Sequence, residues 1–346
     1  MKVLSLFDGI SVAQQALKEL DVRVEYYASE IDKYALQVTA KNFPNTIQLG
    51  DVKEVSLNKY PEINNPDLMI LGSPCQDLSI AKKNREGLSG SRSGLFWEAI
   101  RIHKEVMPRW FVYENVNSMK QEWKEQMLKA VQEIEPSAYM IMINASLVSA
   151  QNRKRIFITN IPNVTQPEDK GILLRDILEI DVDDKFYVKE KSNTIRTSGR
   201  GSGIDDKHNW DTIRIGQIGK GGQGDRIYSP DGKSINLSAN GGGRGAKTGL
   251  YAVASRTYPR YKQDGVERSK QIEIRKDEKS NALTSVTGDS MVMDDCVIRK
   301  LTPVECERLQ SLPDNFTSGI SNSQRYKCLG NAFNCAVIKH ILSFIV

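Results

Sequence analysis

Five short apolar runs, at residues 2–7, 24–29, 46–49, 68–71 and 110–113, each stop at a glycine or an acidic side chain. Helical spacing of apolar residues follows the first, fourth and fifth of them, over residues 12–20, 94–102 and 123–134. Runs this short without strict polar alternation read as strands buried on both faces. Strands that alternate with helices close into a mostly parallel sheet covered on both sides. The expected fold class is therefore α/β, a doubly wound sheet, and such sheets take their ligands at the carboxyl ends of the strands.

The residues at those ends carry chemistry. Phe7 and the turn Asp8-Gly9-Ile10-Ser11 open the first helix. Glycine there lets a ligand approach the backbone and the helix start offers free amide donors; a plain strand-to-helix turn is the alternative. Glu30, about 20 residues after that glycine, suits the ribose hydroxyls of a nucleoside cofactor; it is otherwise an acid that starts a helix near Asp32. Asp51, followed by Val52, closes the third unit, and its carboxylate could accept from an adenine amino group.

Cys75 follows the fourth run in Gly72-Ser73-Pro74-Cys75-Gln76, where the proline fixes the backbone before the thiol. A cysteine there is, taken alone, either a small buried hydrophobe or a nucleophile. Polar and basic residues from Lys82 to Arg92 predict a loop that closes over whatever Cys75 attacks. Glu114 ends the fifth run and lies beside Cys75 if the fourth and fifth strands are neighbours.

Two further strands are expected at residues 140–145 and 156–159. Between them, in Gln151-Asn152-Arg153-Lys154-Arg155, extended alternation points Arg153 and Arg155 to one side. Two guanidiniums facing one way call for a carboxylate or phosphate partner, or form a solvated charge run. From residue 185 the composition changes: residues 185–300 hold 16 of the 25 glycines, and 22 basic side chains against 14 acidic ones. That excess marks a separate, mostly β module as the surface for a polyanion. Within it, Lys191-Ser192-Asn193, Lys233-Ser234-Ile235 and Lys279-Ser280-Asn281 begin three similar stretches, which read as repeated hairpin units or as coincidence.

Thr302, Pro303 and Glu305 start another helix in the order N-cap, first position, capping partner. After Gly330-Asn331-Ala332 comes a last helix whose stripe of Val337, Ile338, Ile341, Leu342 and Ile345 must pack on a folded body, and the first domain is available. The five cysteines lack paired zinc-ribbon spacing, so reduced thiols and no metal are expected. The first residues enter a strand directly, so neither secretion nor membrane insertion is indicated, and the expected location is cytoplasmic.

In this order the motifs resemble the DNA (cytosine-5-)-methyltransferase family. Phe7-Asp8-Gly9, Glu30, Asp51, Pro74-Cys75-Gln76, Leu95-Phe96, Glu114-Asn115-Val116, Gln151 with Arg153 and Arg155, Arg299-Lys300-Leu301-Thr302-Pro303 and Gly330-Asn331-Ala332 carry the likeness from end to end. Asp8 and Asp77-Leu78-Ser79-Ile80 are similar to the eukaryotic de novo branch, and the compact second module to bacterial or phage enzymes. Ala332 stands where many relatives carry serine.

The resemblance implies a Rossmann-like domain that binds S-adenosyl-L-methionine near Phe7, Asp8, Gly9, Ile10, Ser11, Glu30, Ile31, Asp51, Val52, Pro74, Leu95, Asn331 and Ala332. It implies Cys75 as nucleophile, Glu114 as the group that meets the base, and Arg153 and Arg155 as its supports. Double-stranded DNA is the implied partner. Gln76, Ala81 and Arg85 would fill the place of a flipped base, and Ser79, Lys82 and Arg92 would meet phosphates. Arg244, in the glycine-rich loop Gly241-Gly242-Gly243-Arg244-Gly245, is expected either to read a guanine or to meet a phosphate. The expected domains are residues 1–183, completed by 322–346, for catalysis and 184–321 for target recognition. A monomer is expected in the cytoplasm of a bacterial cell, encoded by the bacterium or by a phage, with any cognate restriction endonuclease acting separately. The alternatives are an RNA cytosine-5 methyltransferase and a catalytically dead DNA-binding relative.

Overall fold

The computed structural model describes residues 1–73, 94–180, 182–183, 214–217, 226–228, 230, 232–235, 250–255, 296–299 and 301–346. Pro74, Cys75, Gln76, Ser79, Ala81, Lys82, Arg85, Arg92, Arg244 and the first and third Lys-Ser stretches lie outside them.

Contacts divide the chain into two compact units, residues 1–172 with 303–346, and residues 173–302. Among the described residues the first is built on seven strands, β1 (Lys2–Leu6), β2 (Glu25–Ser29), β3 (Ile47–Gln48), β4 (Leu68–Gly72), β5 (Trp110–Val116), β6 (Tyr139–Asn144) and β7 (Lys154–Thr159). They form one sheet in the order β3-β2-β1-β4-β5-β7-β6. The first five are mutually parallel, and β1 lies between β2 and β4, so the strand order reverses there. β7 runs antiparallel to both β5 and β6. The sequence predicts both of these strands but not that direction. Its cause is the short link between β6 and β7, since a parallel connection needs a long crossover.

Among the described residues, seven α-helices belong to this unit: α1 (Val12–Glu19), α2 (Lys33–Asn42), α3 (Leu95–Val106), α4 (Gln121–Gln132), α5 (Pro303–Leu309), α6 (Asn322–Asn331) and α7 (Cys335–Leu342). Leu4, Leu6, Met69, Leu71, Phe111 and Tyr113 form one core cluster with Phe96, Ile100 and Ile102 of α3. Each such side chain contributes roughly 1.5–3 kcal/mol by leaving water. Val3, Leu68, Ile70 and Val112, the alternate residues of the same strands, are equally buried, which is why the apolar runs show no polar alternation. α7 buries Val337, Ile338, Ile341 and Leu342 and packs on α1, with Lys339 Nζ 3.2 Å from Glu19 Oε2.

The domain limits read from the sequence need correction at both ends. α5 and the turn after it join the first unit, because the Gln310 amide donates to the Leu329 carbonyl at 2.7 Å and Cys335 N to the Gln310 carbonyl at 2.8 Å. Residues 173–183 go with the second unit, where Leu174 N donates to the Gly232 carbonyl at 3.0 Å and Arg175 N to the Pro230 carbonyl at 2.9 Å. Among the described residues that unit holds four strands in one sheet, β8 (Arg214–Gln217), β9 (Arg226–Tyr228), β10 (Leu250–Ser255) and β11 (Cys296–Arg299), in the order β11-β10-β9-β8. Cys306, Cys328 and Cys335 are buried, and burial raises the Cys306 and Cys335 pKa values, which makes those two thiols inert. Among the described residues no helix is long and apolar enough to cross a membrane.

Candidate active site

A cavity of about 290 Å³ opens at the carboxyl ends of β1, β2, β4 and β5, where the strand order reverses. Its first wall is the turn after β1. Phe7 takes a left-handed backbone, φ 55°, which costs a bulky residue roughly 1–3 kcal/mol. The turn is held by its neighbours: Asp8 N donates to the Ser29 carbonyl at 3.1 Å and Gly9 N to Glu30 Oε2 at 2.8 Å.

The Asp8 carboxylate points away into the core, accepting from the hydroxyls of Ser11 and Tyr26. Burial raises its pKa, against the lowering effect of those hydroxyls. Ser11 also bonds Thr39 Oγ1 at 2.8 Å and is fully buried. Expected as a cofactor residue, Ser11 is a brace of the turn and no part of the cavity wall. Phe7, Asp8, Gly9 and Ile10 do line it.

Glu30 is the organiser of the second wall. Its Oε1 accepts from Ile31 N and Asp32 N, both at 2.7 Å, while Oε2 holds Gly9. Burial raises its pKa, with the three backbone donors opposing. Two donors fill Oε1, but Oε2 has one and keeps a second lone pair, which can still accept a ligand hydroxyl. Ile31 stands 71% exposed beside it, an apolar surface on the cavity wall, and Leu95 lines the same space from the first turn of α3. Asp51 and Val52 complete this side, Asp51 Oδ1 accepting from Lys53 N at 3.0 Å.

One residue here escapes a sequence reading. Lys327 on α6 reaches Asp32 Oδ2 at 2.6 Å, and both line the cavity. Burial pushes the Asp32 pKa up, but the ammonium and the N–H groups of Tyr34 and Ala35 outweigh it and hold it low. The available signal was spacing: Lys327 precedes Asn331 by one helical turn and shares its face.

The far wall carries the acid and the arginines. β4 and β5 are neighbours, with Gly72 in register with Glu114. Glu114 Oε1 pairs with Arg155 Nε at 2.8 Å, each side chain 12% exposed, so the partner that the sequence asks for Arg155 is a carboxylate. Arg153 takes other partners, donating to the carbonyls of Ala332 at 2.7 Å and Gly330 at 3.4 Å. It fastens the segment before α7 to the sheet, and thereby Asn331 and Ala332 to the cavity. Below them, the buried Asn115 amide donates to Ser73 Oγ at 3.0 Å and ties together the ends of β4 and β5.

The chain matches the description "C-5 cytosine-specific DNA methylase" over residues 1–346. It belongs to that family. It is 28% identical to the orphan methyltransferase M.SPRI of Bacillus phage SPR, covering 100% of this chain and 97% of that protein. It is 29% identical to the type II methyltransferase M.HhaI of Haemophilus parahaemolyticus, covering 99% and 93%. Among solved structures, the Entamoeba histolytica methyltransferase EhMeth superposes with a TM-score of 0.64 at 16% identity, over 99% of this chain and 97% of that one. A putative DNA modification methyltransferase encoded within an E. coli prophage gives 0.61 at 18%, over 100% and 98%. These structural likenesses establish the Rossmann-like fold.

The family's cofactor is S-adenosyl-L-methionine. The cavity has the chemistry to take it: carboxylates at Glu30 and Asp51, apolar surface at Ile31 and Leu95, and open backbone at the Gly9 turn.

Proposed function

We propose that this methyltransferase modifies carbon 5 of a flipped-out cytosine in a specific duplex DNA sequence, through a covalent adduct of Cys75. One observation carries the proposal: Gly72, three residues before Cys75 in the sequence, is in register with Glu114, which is paired with Arg155. Carbon 5 of cytosine is a poor nucleophile. Addition of a thiolate at carbon 6 moves an electron pair toward ring nitrogen 3 and leaves an enamine that is nucleophilic at carbon 5. Cys75 is assigned the thiolate, and Glu114 the proton or strong hydrogen bond at nitrogen 3. Arg155 holds Glu114 in place and can meet the base carbonyl. S-adenosyl-L-methionine supplies an electrophilic methyl group on its sulfonium. After carbon 5 has taken that methyl group it loses its proton to a base, the electron pair re-forms the ring double bond, and Cys75 leaves as thiolate.

The second unit is assigned target recognition, supported by the basic excess of residues 185–300. The phage and bacterial relatives support a setting in restriction-modification or phage self-protection. The protein is taken to act in the cytoplasm as a monomer, apart from any cognate endonuclease.

With labelled cofactor the protein should label duplex DNA and leave transfer RNA unlabelled. Duplexes carrying 5-fluorocytosine at the target should give a denaturation-resistant adduct, because fluorine cannot leave as the proton does. Cys75→Ala should form none. Label on transfer RNA would move the substrate to RNA, no label on either would mark a DNA-binding protein without activity, and an adduct in the Ala variant would assign another nucleophile.

Glu30→Ala tests the cofactor wall. A charge-assisted bond to ribose is worth roughly 1.5–3 kcal/mol, so cofactor affinity should fall about 10- to 100-fold by calorimetry. The melting temperature should fall as well, because Gly9, Ile31 and Asp32 lose their acceptor. An unchanged affinity would leave Glu30 only its structural part.

A further inference from the structure

Phe333 stands where the C-terminal segment meets the acid. It lines the main cavity and also a second void of about 10 Å³ behind it, whose walls include Glu114, Arg153, Arg155 and Asn334. Such a void admits at most one water. The backbone of Phe333 is clamped on both sides. The Ala332 carbonyl accepts from Arg153, while Asn334 caps α7 by accepting from Val337 N at 3.1 Å and donates to the Leu309 carbonyl at 2.9 Å. The ring lies so close to Gly72 that a Cβ there would meet Phe333 Cε1 at 2.7 Å and Cζ at 3.1 Å. The same Cβ would lie 3.5 Å from Glu114 Oε2, the oxygen not bonded to Arg155 Nε. The ring, the glycine that ends β4 and this second carboxylate oxygen therefore border one another.

We infer that Phe333 is a positioning residue for methyl transfer: its ring is the partition that holds the Glu114–Arg155 pair at the main cavity and closes off the space behind it. The inference rests on the role proposed above for Glu114. An apolar wall keeps the ion pair in a low dielectric and denies the carboxylate a second position. Without the ring the two spaces join, water reaches the pair from behind, and the carboxylate can fall back. A displacement of about 1 Å at a reacting group can cost 10²-fold in rate.

The experiment is single-turnover and steady-state methylation by the full chain at saturating cofactor and DNA, with 5-fluorocytosine adduct formation in parallel. Phe333→Ala should lower kcat about 10- to 100-fold. Because it hollows a packed site, Phe333→Leu is measured beside it and should lose about 3- to 10-fold while remaining folded. Gly72→Ala, which drives its Cβ into the ring, should also lower kcat, and Gly72→Ala with Phe333→Leu should regain part of that loss, since the shorter side chain makes room. A Phe333→Leu variant with unaltered kcat, a loss that vanishes at saturating cofactor, or a double variant worse than Gly72→Ala would each overturn the inference. Failure of the unaltered protein to form the adduct would instead overturn the role of Cys75 and Glu114 on which the inference rests.

Discussion

Glu114→Gln should lower kcat by about 10² to 10⁴ while cofactor affinity changes less than threefold. The amide keeps the shape of the carboxylate and can still accept from Arg155 Nε, which now holds it at 2.8 Å. It cannot deliver or hold the proton that ring nitrogen 3 needs when the thiolate adds. The substitution also leaves Arg155 without a counter-charge. With both side chains 12% exposed, that should cost about 1 to 3 kcal/mol of stability, between the exposed and fully buried limits. Arg155→Gln should reproduce most of the rate loss. The double variant should be far less damaged than the product of the two, because each single change already disables the pair. Rates measured by labelled methyl transfer decide it, and independent, multiplying effects would show that the two side chains do not act as a unit.

Much of this arrangement is legible in the residues. The parallel strands and the rim positions of Gly9, Glu30, Asp51 and Glu114 follow from apolar runs that stop at glycine or acid, because strands buried on both faces leave polar groups only at their ends. The direction of β7 is not legible, since apolar content says nothing of strand polarity. The assignment of α5 is missed because its cap marks where a helix begins and not what it packs on; the bonds of Gln310 to Leu329 and Cys335 decide that. Asp8 reads as a ligand residue by its place in the turn, yet Tyr26, two strand residues into β2, draws its carboxylate inward. Arg153 and Arg155 line the same cavity, but their partners differ because one meets the carbonyls of residues 330 and 332 and the other the Glu114 side chain. Phe333 offers no chemical signal at all. Its role comes from contact with a glycine some 260 positions away in sequence, which only the folded chain brings to it.

Acidification should weaken the first unit through His103. This residue of α3 is 2% exposed, its Nδ1 lies 2.6 Å from the Tyr113 hydroxyl, and its ring meets the Phe111 ring edge-on at 4.8 Å. Burial lowers its pKa to about 4, with the charge of Glu135 opposing. The unfolded chain holds it near the ordinary value of about 6.5. A folded pKa below the unfolded one means that the unfolded state takes up the proton first. The stabilising contribution is therefore complete above about pH 6.5 and is lost as the pH falls toward 4. The loss should be about 2 kcal/mol by pH 5 and about 3 kcal/mol by pH 4. Asp8 and Glu30 pull the other way, because burial raises their pKa values and protonation relieves them in the folded state. Comparison with His103→Gln, whose carbonyl can accept from Tyr113 and which does not titrate, removes that opposing contribution. Urea unfolding followed by tryptophan fluorescence reads mainly the right unit, since three of the four tryptophans, Trp97, Trp110 and Trp123, belong to it, and Trp210→Phe in both proteins removes the fourth. The difference in stability between wild type and His103→Gln should shrink or reverse between pH 7 and pH 5 by about 2 kcal/mol. A constant difference would mean that His103 does not stay neutral in the folded protein. The consequence reaches the site, because Tyr113 precedes Glu114 on β5 and α3 begins with Leu95 at the cavity: a charged His103 would loosen the strand and helix that hold both.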